Sequence, residues 1–329
     1  MELLRQLQGV VISVVVPMYN EAEGVRELHR RLSHAAASWN EDYELLFVND
    51  GSRDTTLEVC RELCAQDPHL RVVSLSRNFG HQAAVSCGMK ECRGDWVAVI
   101  DADLQDPPEE LARFFERGRE GYDVVYAVRR HRKEGPLKRF AYWAYYRLLS
   151  FLADVEIPLD SGDFCVVSRR FLDELNRLPE RRRFQRGLRA WLGFRQVGLE
   201  YERHARALGQ PKYTLAKLIN LGLDGIVNFS TRPMRLLMML GIGLGAAAFA
   251  MSLAVLAIYV ADITLWGYNA RQTQGWTSLI LAIFFLSGTQ LFGLGVLGEY
   301  IGRIFEEAKG RPTYVVEERL GAKGEDESA

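Results

Sequence analysis

The first half of the chain predicts an α/β domain built on a mostly parallel sheet. Short apolar, β-branched runs alternate there with stretches of helical periodicity, and nearly every run ends in a polar or acidic turn. The second half carries two long uncharged runs instead.

The elements follow in order. Met1 to Gly9 is a short amphipathic lead-in, and Val10 to Val16 reads as a strand ended by P-M-Y-N-E at Pro17 to Glu21. A helical pattern continues to about Ser38, with Val25, Leu28 and Leu32 on one face. Tyr43 to Val48 is a second buried strand, closed by N-D-G-S at 49–52. Thr55 to Gln66 is helical, Leu70 to Ser74 a third strand, and His81 to Cys92 another helix. The strand Trp96 to Ile100 precedes a helix from Glu109 to Glu120 and a strand from Asp123 to Val128. This alternation implies helices on both faces of the sheet. Ligands on such sheets bind at the carboxyl ends of the strands, where Pro17–Glu21, Asn49–Ser52, Arg77–His81 and Asp101–Asp106 all fall.

The stretch W-V-A-V-I-D-A-D-L-Q-D-P-P-E, Trp96 to Glu109, is the chemical focus. Residues two apart on an extended chain point the same way, so Asp101 and Asp103 present oxygens to one side. Close carboxylates repel unless a cation or proton lies between them. A hard divalent ion, Mg²⁺ or Mn²⁺, takes one or two carboxylates together with substrate phosphates and fits that need. On these residues alone, an acidic solvated turn is the plainer reading; the surrounding pattern argues against it.

Composition bounds the rest. At 329 residues the chain holds a full catalytic domain and something more. Its 41 Lys and Arg nearly balance 42 Asp and Glu, so charge does not point to nucleic acid. Five scattered cysteines without metal-ligand spacing suit a reducing cytosol. Val10 to Val16 is too short for a signal peptide. No G-x-G-x-x-G follows the first strand, which disfavours a dinucleotide oxidoreductase.

Leu236 to Val260 has no charged residue and is long enough as a helix, about 37 Å, to cross a bilayer. Leu279 to Leu297 is a second such run, and the pair predicts two membrane spans. Arg232 and Arg235 precede the first, while Arg303, Lys309 and Arg311 follow the second. The positive-inside rule places both flanks and the large domain in the cytoplasm. Leu215 to Phe229 has helical amphipathicity, with Lys217 and Asp224 on its polar side. It reads equally as an interfacial helix or as a helix packed on the soluble domain.

With these residues in place, the chain resembles the family 2 glycosyltransferases of the GT-A, Rossmann-like fold. Within them it is most similar to the branch that transfers sugars to polyprenyl phosphates, which includes bactoprenol glucosyltransferases and dolichol-phosphate mannose synthases. The resemblance covers nearly the whole chain, including G-V-L-G-E-Y-I-G-R at 295–303. It implies a cytoplasmic catalytic domain over 1–214, an interfacial region at 215–235, a transmembrane hairpin at 236–301 (spans 236–260 and 279–300) and a cytoplasmic tail at 302–329. P-M-Y-N-E resembles the first nucleotide loop, where Pro17, Tyr19 and Glu21 would hold base and ribose. N-D-G-S resembles D-D-G-S, with Asp50 expected on the base, Val48 beside it, and Asn49 standing for the first Asp. D-A-D-L-Q-D resembles the metal site, with Asp103 and Gln105 nearest the ion and Asp101 and Ala102 near the diphosphate.

Arg129 matches a basic residue placed at phosphate, and the basic run through Arg139 supplies further candidates for the acceptor phosphate. Asp160 to Phe164 is similar to the G-D-F signature, whose acid, Asp163, faces the reacting centre; Cys165 stands where the family often has Arg. Arg206-x-x-Gly209-x-x-Lys212-Tyr213 resembles a late basic motif that closes over donor phosphates, here with Gln210-Pro211 before Lys212. Asp101 and Asp163 are thus the catalytic candidates, Asp163 positioning the acceptor or acting as a weak base. The implied reaction is inverting transfer of a hexose from a nucleoside-diphosphate sugar, UDP-glucose before others, to a polyprenyl phosphate in the membrane, by a homotetramer. A processive polysaccharide synthase shares the first-half motifs, but its Q-x-x-R-W is not met by Q-R-G-L-R-A-W at Gln185 to Trp191. A membrane-tethered nucleotide-sugar scaffold is the non-enzymatic alternative, and the retained acids argue against it.

Overall fold

The computed structural model describes residues 11–129, 161–180, 183–202, 239, 241, 243–244, 257, 261, 264–265, 268–269 and 276–321. The chain divides into two compact units. The first comprises Met1–Ser150, Val155–Leu221 and Pro312–Ala329; the second comprises Phe151–Asp154 and Gly222–Arg311.

The first unit carries the predicted alternation. Strand β1 (Ile12–Met18), helix α1 (Val25–Ala36), β2 (Tyr43–Asn49), α2 (Thr56–Gln66), β3 (Leu70–Leu75), α3 (His81–Glu91) and β4 (Trp96–Val99) lie within two residues of the expected bounds at nearly every end. A 3₁₀ turn at Pro108–Glu110 leads into α4 (Leu111–Arg119), where one helix was expected, because Pro107-Pro108 cannot supply backbone donors. Then come β5 (Val124–Arg129), β6 (Ser161–Ser168), α5 (Arg169–Arg177), α6 (Gln185–Leu192) and β7 (Gln196–Tyr201).

Among the described residues, eight strands form one sheet in the order β10-β3-β2-β1-β4-β6-β5-β7, where β10 is Val316–Leu320. The pairs β1–β2, β2–β3, β1–β4 and β5–β7 are parallel. Strand β6 runs antiparallel to both β4 and β5, and β10 runs antiparallel to β3. The chain winds outward from β1 through β3, then crosses back to β4 on the other side of β1. The β1–β4 boundary is therefore the switch point at which such sheets open a crevice.

Burial explains the winding. Strands β1, β2 and β3 are buried along almost their whole length, as the unbroken apolar runs require for a sheet covered on both faces. Helix α1 lays Val25, Leu28 and Leu32 on the sheet, the face its spacing predicts. Phe47, Phe114, Phe164 and Phe171 are fully buried, each contributing about 2 kcal/mol of transfer free energy. Helix α3 sits especially close: a Cβ on Gly88 would meet the Val15 side chain at 2.2 Å.

In the second unit, β8 (Thr264–Leu265) and β9 (Tyr268–Asn269) pair antiparallel, and α7 spans Trp276–Ala308. Leu279, Ile283, Leu291, Leu294, Ile301 and Ile304 of α7 are exposed. Among the described residues, no helix is long and apolar enough to cross a membrane, and the hairpin expected over 236–301 is not found there. Nearly all of its first arm lies outside those residues, and side chains are described at only part of the second. The expected tail at 302–329 also differs. Helix α7 continues to Ala308, and Val316–Leu320 returns to the first unit as an edge strand. Its outer residues alternate half-buried and exposed, a one-sided pattern too short to stand out in sequence. Residues 215–235 lie outside the described residues.

Candidate active site

The strand ends converge through specific hydrogen bonds. Asn20, at φ 52, accepts from the Arg53 N–H at 2.8 Å, and its own N–H donates to Ser52 Oγ at 3.0 Å. The Glu21 N–H donates to Thr56 Oγ1 at 3.0 Å. The loop after β1, carrying Pro17, Tyr19 and Glu21, is thereby fastened to the loop after β2. Pro17 is buried, while Tyr19 and Glu21 are half-buried.

Asn49 is buried, donating from Nδ2 to Ser74 Oγ at 3.0 Å and accepting from the Ser52 N–H at 3.2 Å. Asn49 thus both donates and accepts in this position, where an ionised aspartate could only accept. Asp50 grips the next loop: its two oxygens accept from the Phe79 and Gly80 N–H groups at 2.7 and 2.9 Å. Burial raises its pKa, and these two donors pull the other way. Gly51, at φ 60, presses on that loop so closely that a Cβ would meet the Arg77 carbonyl carbon at 2.3 Å. Asp50 thus fixes this loop through its carboxylate. Val48 is fully buried, so only its main chain can border a ligand.

The acids meet because of register. Val99 of β4 pairs with Cys165 of β6, and continuing two residues past that pair brings Asp101 opposite Asp163. His81, the first residue of α3, lies between them, its Nε2 3.7 Å from Asp101 Oδ1 and 3.5 Å from Asp163 Oδ2. Arg186 of α6 donates to Asp163 from Nε at 2.8 Å and from Nη2 at 3.3 Å. Gln82 adds a weaker bond at 3.4 Å.

Burial pushes Asp101 up to about 6, even though His81 opposes the shift. Burial would raise Asp163 as well, but the Arg186 and His81 charges hold it well below the usual carboxylate range. Burial would lower His81; the hydrogen bond to Asp163 and the charge of Asp101 outweigh it and raise the imidazole to about 9. At neutral pH, therefore, an imidazolium and a guanidinium hold an ionised Asp163.

Beside them, Asp103 Oδ1 accepts from the Gln105 N–H at 3.1 Å. This bond closes the turn across Leu104, which takes φ 58. Ala102 is buried behind this turn, and the buried Asp106 accepts from Tyr201 Oη. Among the described residues, no three His, Cys, Asp or Glu side chains form a metal-binding group. The donors present, Asp101 and Asp103 two residues apart with Gln105 adjacent, suit a hard ion that completes its shell with diphosphate and water.

Arg129 is the last residue of β5, in register with Tyr201. Arg139, Arg206 and Lys212 fall outside the described residues. His81, Gln82 and Arg186 were not anticipated. His81 lay within a loop assigned to the ligand end. Arg186 sat inside the discounted Q-R-G-L-R-A-W, and only the packing of α6 beside β6 brings it to Asp163.

Fold and site together define an α/β protein with a cluster of acids where β4 ends and β6 begins, beside the switch point of its sheet. The chain belongs to glycosyl transferase family 2, whose model matches residues 13–175. Similarity to relatives runs much further. The uncharacterized glycosyltransferase YkcC of Bacillus subtilis is 44% identical over 310 residues, covering 94% of each chain. The bactoprenol glucosyl transferase of Shigella phage SfX is 37% identical over 309 residues, covering 94% of this chain and 99% of its own. A prophage bactoprenol glucosyl transferase homolog of Escherichia coli is 36% identical over 306 residues, covering 93% and 98%.

Proposed function

We propose that the chain transfers a hexose, with UDP-glucose as first candidate donor, to the phosphate of a membrane polyprenol and inverts the anomeric centre. Full-length similarity to bactoprenol glucosyl transferases supports the class of acceptor. The observation that carries the reading is the clamp on Asp163. A sugar hydroxyl needs a base to take its proton, and an acid held so firmly ionised is a weak one. A lipid phosphate is already largely anionic at pH 7, its second pKa being about 6. Alignment and charge screening are then what the protein must supply.

In this reading a phosphate oxygen of the acceptor attacks the anomeric carbon. The bond to the donor diphosphate breaks, and its electron pair leaves with the nucleoside diphosphate. Pro17, Tyr19, Glu21 and the Asp50-held loop face the nucleoside, with Val48 and Ala102 lending main-chain surface. Arg206 and Lys212 meet the donor phosphates, and Arg129 and Arg139 meet the acceptor phosphate. Mg²⁺ or Mn²⁺ at Asp103 and Gln105 would neutralise charge on the departing diphosphate. Asp101 borders that diphosphate, and Asp163 orients the acceptor.

The same reading makes the protein an integral protein of the cytoplasmic membrane and a homotetramer, with catalytic domain and termini cytoplasmic. The two uncharged runs at 236–260 and 279–297, their basic flanks and the exposed apolar side chains of α7 support membrane attachment.

The test supplies membranes with sugar-labelled UDP-glucose, extracts with organic solvent and treats the extract with mild acid. Label should enter the organic phase as one species, β-linked in the intact lipid, and be released by the acid as a monosaccharide. An acid-stable aqueous polymer would point instead to a processive synthase. Donor binding without any turnover would leave only the scaffold reading.

A further inference from the structure

Asp101 and Asp163 bring two carboxylates to the reacting centre, and two cations answer them. His81 lies within 3.7 Å of both acids, and Arg186 takes Asp163 through a two-nitrogen fork at 2.8 and 3.3 Å. The side chain of Asp163 is only 13% exposed, so water screens its charge poorly. An anionic acceptor arriving beside a bare Asp163 would be repelled. A neutral hydroxyl would instead profit from a bare carboxylate as a base.

We propose that Arg186 is a positioning residue that makes this site selective for anionic acceptors, by fixing Asp163 and cancelling its charge where a phosphate must approach. The inference rests on the phosphate-acceptor reading above and deepens it. Helix packing holds Arg186 in place. The Gln185 N–H donates to Gln82 Oε1 at 3.2 Å, and Gln185 Nε2 donates to Ser86 Oγ at 2.8 Å. The first turn of α6 is thus pinned to α3, the helix that begins with His81. Both cations come from one joined pair of helices. Lysine at 186 would restore the charge but not the planar fork.

The test compares wild type, Arg186→Gln and Arg186→Lys in detergent with sugar-labelled UDP-glucose. Transfer to polyprenyl phosphate is measured beside donor hydrolysis without lipid. In Arg186→Gln the KM for polyprenyl phosphate should rise at least tenfold while the donor KM stays within twofold. The ratio of hydrolysis to transfer should rise as well, and Arg186→Lys should fall between the two. An unchanged lipid KM, or equal loss of hydrolysis and transfer, overturns the inference. Thermal melting with and without UDP-glucose checks each fold; if the Gln variant does not melt cooperatively, an unchanged lipid KM in the Lys variant is equally decisive. A wild type that forms no lipid-linked sugar would instead defeat the phosphate-acceptor reading, and this inference with it.

Discussion

The two ends of the central sheet each hold a buried acid met by arginine, and they use it differently. At the amino ends, Glu44 accepts from Ser13 Oγ at 2.6 Å, Arg71 Nη1 at 2.7 Å and the Arg93 N–H at 2.6 Å. Ser13 in turn accepts from the Gly94 N–H at 2.7 Å. Glu44 is 3% exposed, and its partners come from the strands on either side of its own and from one turn. At the carboxyl ends the acids are more open: the Asp101 and Asp163 side chains are 31% and 13% exposed, and the His81 between them 35%. One end satisfies its charge internally and locks strands together. The other brings like charges close, balances them with mobile-proton and fixed cations, and leaves a face for a ligand.

The sharpest way to break this contrast is to remove one charge at each end. Asp103→Asn should cut transfer more than about a hundredfold, because an amide leaves the ion short of charge, while melting in the absence of metal stays near wild type. Near-normal turnover would sink the metal assignment. At the other end, Glu44→Ala strands the buried Arg71 charge and should cost about 3–5 kcal/mol of stability. The protein that remains folded should keep its donor KM, measured by initial rates at reduced temperature. A selective rise in that KM would show that the two ends are coupled.

Smaller effects sharpen the contrast. Gly51→Ala forces a side chain into the left-handed region and against the Arg77 backbone. It should cost about 1–3 kcal/mol and raise the donor KM several-fold if the displaced loop borders the nucleoside as proposed. Equal KM values by titration would remove Gly51 from the site.

The last effect is a matter of pH. His81 is raised from 6.5 to about 9 in the fold, so its stabilising contribution is complete below 6.5 and is lost as pH rises through 9. Asp101, at about 6, is already mostly ionised across that window. Melting temperatures taken from pH 6.5 to 9.5 with a chelator should fall more steeply for wild type than for His81→Gln. Parallel curves would show that His81 does not carry its proton between the acids.

The same contrast marks where the sequence was legible. Strands β1 to β4 and their helices announce themselves through local periodicity, and strand-end acids follow once the sheet is parallel. Asp101 and Asp103 could therefore be placed from spacing alone. Strand β6 could not, because its antiparallel entry between β4 and β5 is decided by distant pairing, with no local signature. What depends on β6 was lost with it: the register that sets Asp163 against Asp101, and the helix that delivers Arg186. Glu44 was equally silent, since a charged residue in an apolar strand reads as an exception until Arg71 is seen beside it.

Strand β10 carries a consequence for how the protein is made. It pairs with β3, yet lies more than two hundred residues later in the chain, beyond the whole second unit. Arg319 and Glu318 tie it further, to Glu91 at 2.8 Å and to Arg61 at 2.5 Å. A ribosome releases these residues only after the whole of Gly222–Arg311 has been synthesised. The β3 edge of the sheet therefore stays open while the second unit is being made and closes only afterwards. A polypeptide that leaves one sheet and must rejoin it can pass through a bilayer only an even number of times.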